Sequence, residues 1–287
     1  MPDLSDSSLA IRNIAIATDF SPWSDRAMQH ALLVARRMGA ALHILHTVRR
    51  SEFAFVPDLM VQLDELAERD CENLMGRLHA AHSLEGIECH CWNLYGECSD
   101  VFADFVRDQK IDLLVLGTRG RSGISKLLLG SVAEEISRCV VCPVLAIGPS
   151  SRGATSQLEL KRVLFATDLS KQSYSAIPYV LTAANQWGAA LDVLQLCLSG
   201  DSKRQHGMEE FNRMIDMWAG GKQDFPVRYH IQPGAPSATV LNFARQNKED
   251  LIVLSHSSAL NGPSLSHAYE IVRQSTCPVL GIRSAAF

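Results

Sequence analysis

The chain has 287 residues, of which 47% are apolar and 20% charged, and its formal charge is -4 at pH 7. That length suits two ordinary domains better than one, and the apolar share supplies two cores, which excludes a disordered chain. The acidic excess lacks the basic footprint that phosphate-backbone binding requires, so nucleic acid is set aside as a partner. The opening MPDLSDSSLAIR has no apolar run of the signal-peptide kind, and no stretch reaches the roughly eighteen apolar residues that cross a bilayer. A cytoplasmic protein with no membrane partner is expected, its eight cysteines held as reduced thiols.

In chain order, the β-branched run Asn13 to Thr18 reads as a strand. A helix follows, with Ser21 as N-cap, Pro22 in its first turn, Ala27, Ala31, Val34 and Met38 at helical spacing, and Gly39 as its stop. Strands are predicted at Ala41 to Val48, Ile87 to Leu94, Asp112 to Thr118 and Pro143 to Ile147. Helices are predicted at Leu59 to His82, Asp100 to Gln109 and Val132 to Cys139. Apolar strands alternating with helices of this length describe a parallel sheet covered on both faces.

The whole pattern then repeats. NIAIATDFS from Asn13 returns as RVLFATDLS from Arg162, an offset of 149, and MGAALHIL from Met38 returns as WGAALDVL from Trp187 at the same offset. YGECSD from Tyr95 aligns with PGAPSA from Pro233, and CPVLAI from Cys142 with CPVLGI from Cys277, so the second half is shorter around its second helix and again before its last. The polar stretch PSSRGATSQ lies between the halves. The predicted architecture is α/β, two tandem doubly wound five-stranded parallel sheets of Rossmann-like type, with domains at 1–149 and 158–287 and a linker at 150–157.

After the fourth strand of the first half comes GTRGRSGISKLLLGS, in which Gly117, Gly120, Gly130 and Ser131 are spaced as G-x-x-G, nine residues, then G-S. Glycines let a backbone approach a pyrophosphate, and Gly130-Ser131 stands where the fourth helix begins, so free N–H groups and the helix dipole face one anion. With Ala17-Thr18-Asp19 ending the first strand and CPVL the last, this pattern closely resembles the ATP-binding pattern of the universal stress protein family, nearly end to end in both halves. Ala17 stands where ATP-binding members often carry proline.

The resemblance implies that Asp19 contacts ribose, that backbone around Val48 reads adenine, and that Gly117, Gly120, Gly130, Ser131 and Val132 hold ribose and phosphates. Arg119, Arg121 and Lys126 either add charge opposite phosphates or form a solvated basic loop. The implied ligand is ATP or a related adenine nucleotide, with Mg2+ as its companion ion. In the second half Thr167 and Asp168 persist, but Ser255, Ser258, Leu265 and Ser266 replace the glycine pattern, and that half is expected to bind no ATP. The last strands resemble the edge strands that pair domains in the family, implying either an intramolecular pseudo-dimer or a homodimer.

Structural alternatives stand beside each assignment. Ser131 with Glu134 is also a capping box, and Asp19 can simply start a turn. Cys139-Val-Val-Cys142 has zinc-like spacing without a second pair, Cys89 and Cys91 share a strand face, and His43, His46, His79 and His82 read as core or solvated residues. No nucleophile, base or metal-holding acid cluster accompanies the loop, and the Walker and dinucleotide glycine patterns are absent. A nucleotide-binding regulatory protein is therefore expected ahead of a non-nucleotide interaction scaffold or a slow ATPase.

Overall fold

Every strand of the first unit enters from the same end of the sheet, because each return is made by a helix. The computed structural model describes residues 9–48, 57–118, 131–153, 159–168, 171–197, 204–219, 224–257 and 263–284. These fall into two compact units: Ile11–Pro149 with Gly153, and 9–10, 150–152 and 159–284.

The first unit runs β1 (Asn13–Ala17), α1 (Pro22–Met38), β2 (Ala41–Val48), α2 (Pro57–Ala80), β3 (Cys89–Tyr95), α3 (Cys98–Asp108), β4 (Leu113–Gly117), α4 (Ser131–Cys139) and β5 (Val144–Ile147). The strands are parallel in the order β3-β2-β1-β4-β5. Ile14, Ala15 and Ile16 of β1, Leu42, Ile44 and Leu45 of β2, and Leu114 and Val115 of β4 are fully buried, as strands with helices on both faces must be.

Helix α1 begins and ends where its sequence says. Ser21 accepts the Ser24 N–H at 3.3 Å, Pro22 fills the first turn, and Gly39 closes the helix at φ 64° with its N–H on the Ala35 carbonyl. Two strands start a residue later than predicted. Asp112 stays outside β4 because its carboxylate accepts the N–H groups of Arg12 and Asn13, at 2.8 and 2.9 Å. Pro143 has no N–H for the ladder, so β5 starts at Val144.

The second unit repeats the winding with β6 (Arg162–Thr167), α5 (Ile177–Trp187), β7 (Ala190–Cys197), α6 (Arg204–Ala219), β8 (Val227–Pro233), α7 (Pro236–Asn247), β9 (Leu251–Ser257), α8 (Pro263–Gln274) and β10 (Val279–Ser284), in the order β10-β9-β6-β7-β8. Asp250 accepts from Lys161 and Arg162 as Asp112 does from Arg12 and Asn13. One element departs from the repeat. Pro178 can neither donate to the preceding turn nor clear its carbonyl, so Lys171–Ala176 forms a 3-10 turn and α5 starts only at Ile177.

The reduced-thiol expectation is corrected at one pair: Cys71 of α2 and Cys91 of β3 form a disulfide, their Cα atoms 6.2 Å apart. The cause is topological, since α2 returns along β3 and sets the two side chains opposite each other. Among the described residues Cys89, Cys98, Cys139, Cys142 and Cys277 form no disulfide. Among the described residues no helix is long and apolar enough to cross a membrane.

Candidate functional site

β1 is flanked by β2 and β4, and the chain winds outward from it in opposite directions, so a crevice opens at the carboxyl ends of β1 and β4. Ala17 pairs with Leu45 on one side and Leu116 on the other, which brings Ala17, Thr18, Asp19 and Gly117 to one rim, with Val48 at the end of β2. Of the sequence-predicted residues, Arg119, Gly120 and Gly130, with Arg121 and Lys126, lie outside the described residues.

The turn after β1 is tightly determined. The Thr18 N–H donates to Leu45 at 2.8 Å, while its hydroxyl donates to Ser24 Oγ at 3.1 Å and accepts the Phe20 N–H at 3.0 Å. Thr18 is buried, so its side chain organises the turn. Asp19 Oδ1 accepts the Ser21 N–H at 3.1 Å, which is the turn-starting role weighed for it. Phe20 takes a left-handed φ of 58°, uncommon for an aromatic residue, and packs its ring 4.6 Å from that of His46.

His46, by sequence a core or solvated residue, takes part in the rim. Its Nδ1 lies 3.0 Å from the Thr18 carbonyl oxygen, tying the end of β2 to the end of β1. Its place near the carboxyl end of a strand beside β1 was the available signal. Val48 is buried and its carbonyl accepts the Gly96 N–H at 3.3 Å, so that oxygen is already engaged.

Gly117 has a packing reason of its own. A Cβ there would stand 3.2 Å from the Trp23 carbonyl oxygen and 3.6 Å from Ala27 Cβ, so the missing side chain lets α1 close over the end of β4. Helix α4 is described from Ser131, with Val132 and Ala133 following it in the helix. Val132 is exposed, and Glu134 Oε1 accepts from Arg138 at 2.6 Å, one turn further on.

In the second unit the hydroxyl pair recurs as Thr167 and Ser173 at 2.9 Å, and β9 carries Leu254-Ser255 where β4 has Leu116-Gly117. Neither cysteine of the C-x-x-C pair is exposed: the Cys139 thiol donates to Ile136, and burial pushes the Cys142 thiol up to about 12. Among the described residues no three His, Cys, Asp or Glu side chains converge as a metal site.

A rim of this kind, on a parallel α/β unit repeated in tandem, places the chain in a class, and comparison with known proteins gives the class its name. Residues 10–148 and 159–283 each match the Universal stress protein family, and the chain belongs to that family. A universal stress protein of Methanocaldococcus jannaschii is 30% identical over 138 residues, covering 47% of this chain and 81% of the relative. One from Bacillus subtilis is 24% identical over 141 residues, covering 46% and 95%. A solved universal stress protein of Archaeoglobus fulgidus covers 98% of this chain and 99% of its own, with a TM-score of 0.75 at 20% identity, a likeness of fold.

Proposed function

We propose that the first unit binds ATP or a close adenine nucleotide and that occupancy serves a regulatory role, while the second unit, without the glycine pattern, binds none. The reading takes domains at 1–149 and 158–287. The observation that carries it is the meeting of the Ala17-Thr18-Asp19 turn with the end of β4 at the crevice, in a chain whose next described element is helix α4, Ser131–Cys139. The first-turn amides of a helix and the positive end of its dipole attract phosphate oxygens. Val132, exposed in that first turn, stands where it can flank such a ligand without holding the fold together.

A second reading is favoured by the local geometry of Thr18, Asp19 and Gly117, each of which is employed in folding the turn and packing α1. In it the rim is structural and the chain is an interaction scaffold.

The two part company on Val132→Asp. A carboxylate in the first turn suits the helix dipole but opposes a phosphate, so the melting temperature of the apo protein should hold while ATP affinity falls at least about tenfold. Calorimetry with ATP and Mg2+ measures this. cAMP, with which another universal stress protein has been solved, is the comparison ligand. Equal ATP affinity in the variant and the parent chain, or none in either, would sink the nucleotide reading.

A further inference from the structure

Helix α2 and strand β3 meet along a seam of sulfur. On α2, Cys71, Met75 and His79 recur every fourth residue and share one face, and on β3, Cys89 and Cys91 alternate onto one side of the sheet. The disulfide joins Cys71 to Cys91. Beside it, Met75 and Cys89 line a cavity of about 240 Å3 whose other walls include His79, Leu84, Ile87 and the exposed His82. A small molecule entering that cavity therefore arrives at Cys89, two residues along β3 from Cys91 and on the same side of the sheet.

Few side chains of α2 are fully buried. Of the described side chains in the 24 residues of α2, Ala67, Cys71 and Leu74 alone are buried, while Val61 and Leu66 stand exposed. Among the described strands β3 lies at an edge, beside β2. With so thin an apolar stripe, α2 depends on its tether.

We propose that Cys71–Cys91 is a reversible redox latch, opened by a small thiol that reaches it through the Met75–Cys89 cavity, and that opening frees α2 from β3. The thiolate attacks Cys91 Sγ, forming a mixed disulfide and releasing the Cys71 thiolate, which takes a proton. A second small thiolate attacks the small-molecule sulfur of that mixed disulfide. It leaves as the small disulfide and releases Cys91, which takes the other proton. Two electrons pass from two thiols to the protein, and a small disulfide reverses the step.

Both states have a place in the fold. Asn93 Oδ1 stands 3.7 Å from Cys71 Sγ, an acceptor for the thiol once freed. Burial pushes the neighbouring Cys89 thiol up to about 11, which keeps it protonated and out of the exchange. A regulatory consequence rests on the nucleotide reading above. α2 is the element that follows β2 and its rim residue Val48, so the oxidised chain should hold ATP about fivefold or more tighter than the reduced one.

The test equilibrates the full chain in mixtures of reduced and oxidised glutathione, then reads alkylation by mass and amide exchange along α2. Cys71 and Cys91 should titrate together, and exchange across Pro57–Ala80 should run about tenfold faster when they are reduced. The Cys71→Ser, Cys91→Ser double variant should show the fast exchange in both buffers. Cysteines 71 and 91 both alkylated in the most oxidising buffer, or α2 exchange indifferent to redox state, overturns the latch. ATP binding equal in both states overturns its coupling to the crevice. ATP binding in neither state defeats the nucleotide reading alone, since alkylation and exchange still judge the latch.

Discussion

Asp192 holds in the second unit the strand position that His43 holds in the first, each the third residue of its strand. Their neighbours have changed with them. His43 is buried among aromatic rings, those of His90, Trp92 and Phe105 at 5.8, 6.3 and 5.9 Å, and neither of its ring nitrogens is hydrogen-bonded. Asp192 is fully buried and accepts from Arg162 at 2.8 Å, Arg228 at 3.1 Å and His230 at 2.7 Å. One backbone site thus carries an aromatic cluster in one unit and an ionic network in the other.

The His43 cluster predicts acid sensitivity of the first unit. Burial first, and then the charge of His90, pull the His43 pKa below its ordinary 6.5, with Glu88 opposing. The unfolded chain then binds the proton more readily than the folded one, so the stability this site contributes is whole above pH 6.5 and is lost as pH falls below it. His43→Leu, which replaces two unsatisfied nitrogens with apolar atoms, should stabilise the unit by about 1–3 kcal/mol at pH 7 and remove part of the decline between neutral pH and pH 5.5. Denaturant midpoints of the two proteins at both pH values decide it. A parallel decline in parent and variant would contradict the assignment.

In the second unit the sign reverses. Burial, and then the charge of Asp192, push the Glu249 carboxyl from 4.5 up to about 7, against the pull of Arg162. The folded state therefore holds a proton that the unfolded state has released, and stability falls as pH climbs from 4.5 through 7. Glu249→Gln keeps an acceptor for Arg162, which also retains Asp192, and abolishes that titration. Between pH 5 and pH 8.5 the variant should gain on the parent by up to about 3 kcal/mol. Calorimetric unfolding across that range measures the gap, and a gap independent of pH would refute it.

The α/β order and helix α1 were legible because periodicity, caps and the internal repeat are local signals. Ser21, Pro22 and Gly39 do what their chemistry prescribes. What eluded the sequence depends on elements brought together across the chain. The Cys71–Cys91 bond needs the α2–β3 return, and the role of His46 needs β2 laid beside β1. Pro178 was visible, but identity on either side of it concealed the 3-10 turn it enforces. At the rim, Thr18, Asp19 and Gly117 were chosen for a ligand, and the fold gives each a second employer.

Gly117 makes that double employment measurable. An alanine Cβ at 3.2 Å from the Trp23 carbonyl is closer than ordinary van der Waals contact, and its neighbour is backbone rather than the free end of a side chain. The first turn of α1 would have to shift, and with it the Ser21 cap and the Asp19 turn that leads into it. Gly117→Ala should therefore lower the stability of the first unit by about 1–3 kcal/mol in the absence of any nucleotide. The reverse change in the second unit, Ser255→Gly, should give no matching gain, because added backbone freedom in a strand costs stability. Thermal unfolding of both ligand-free variants is the measurement. Full stability of Gly117→Ala would return that glycine to the ligand alone.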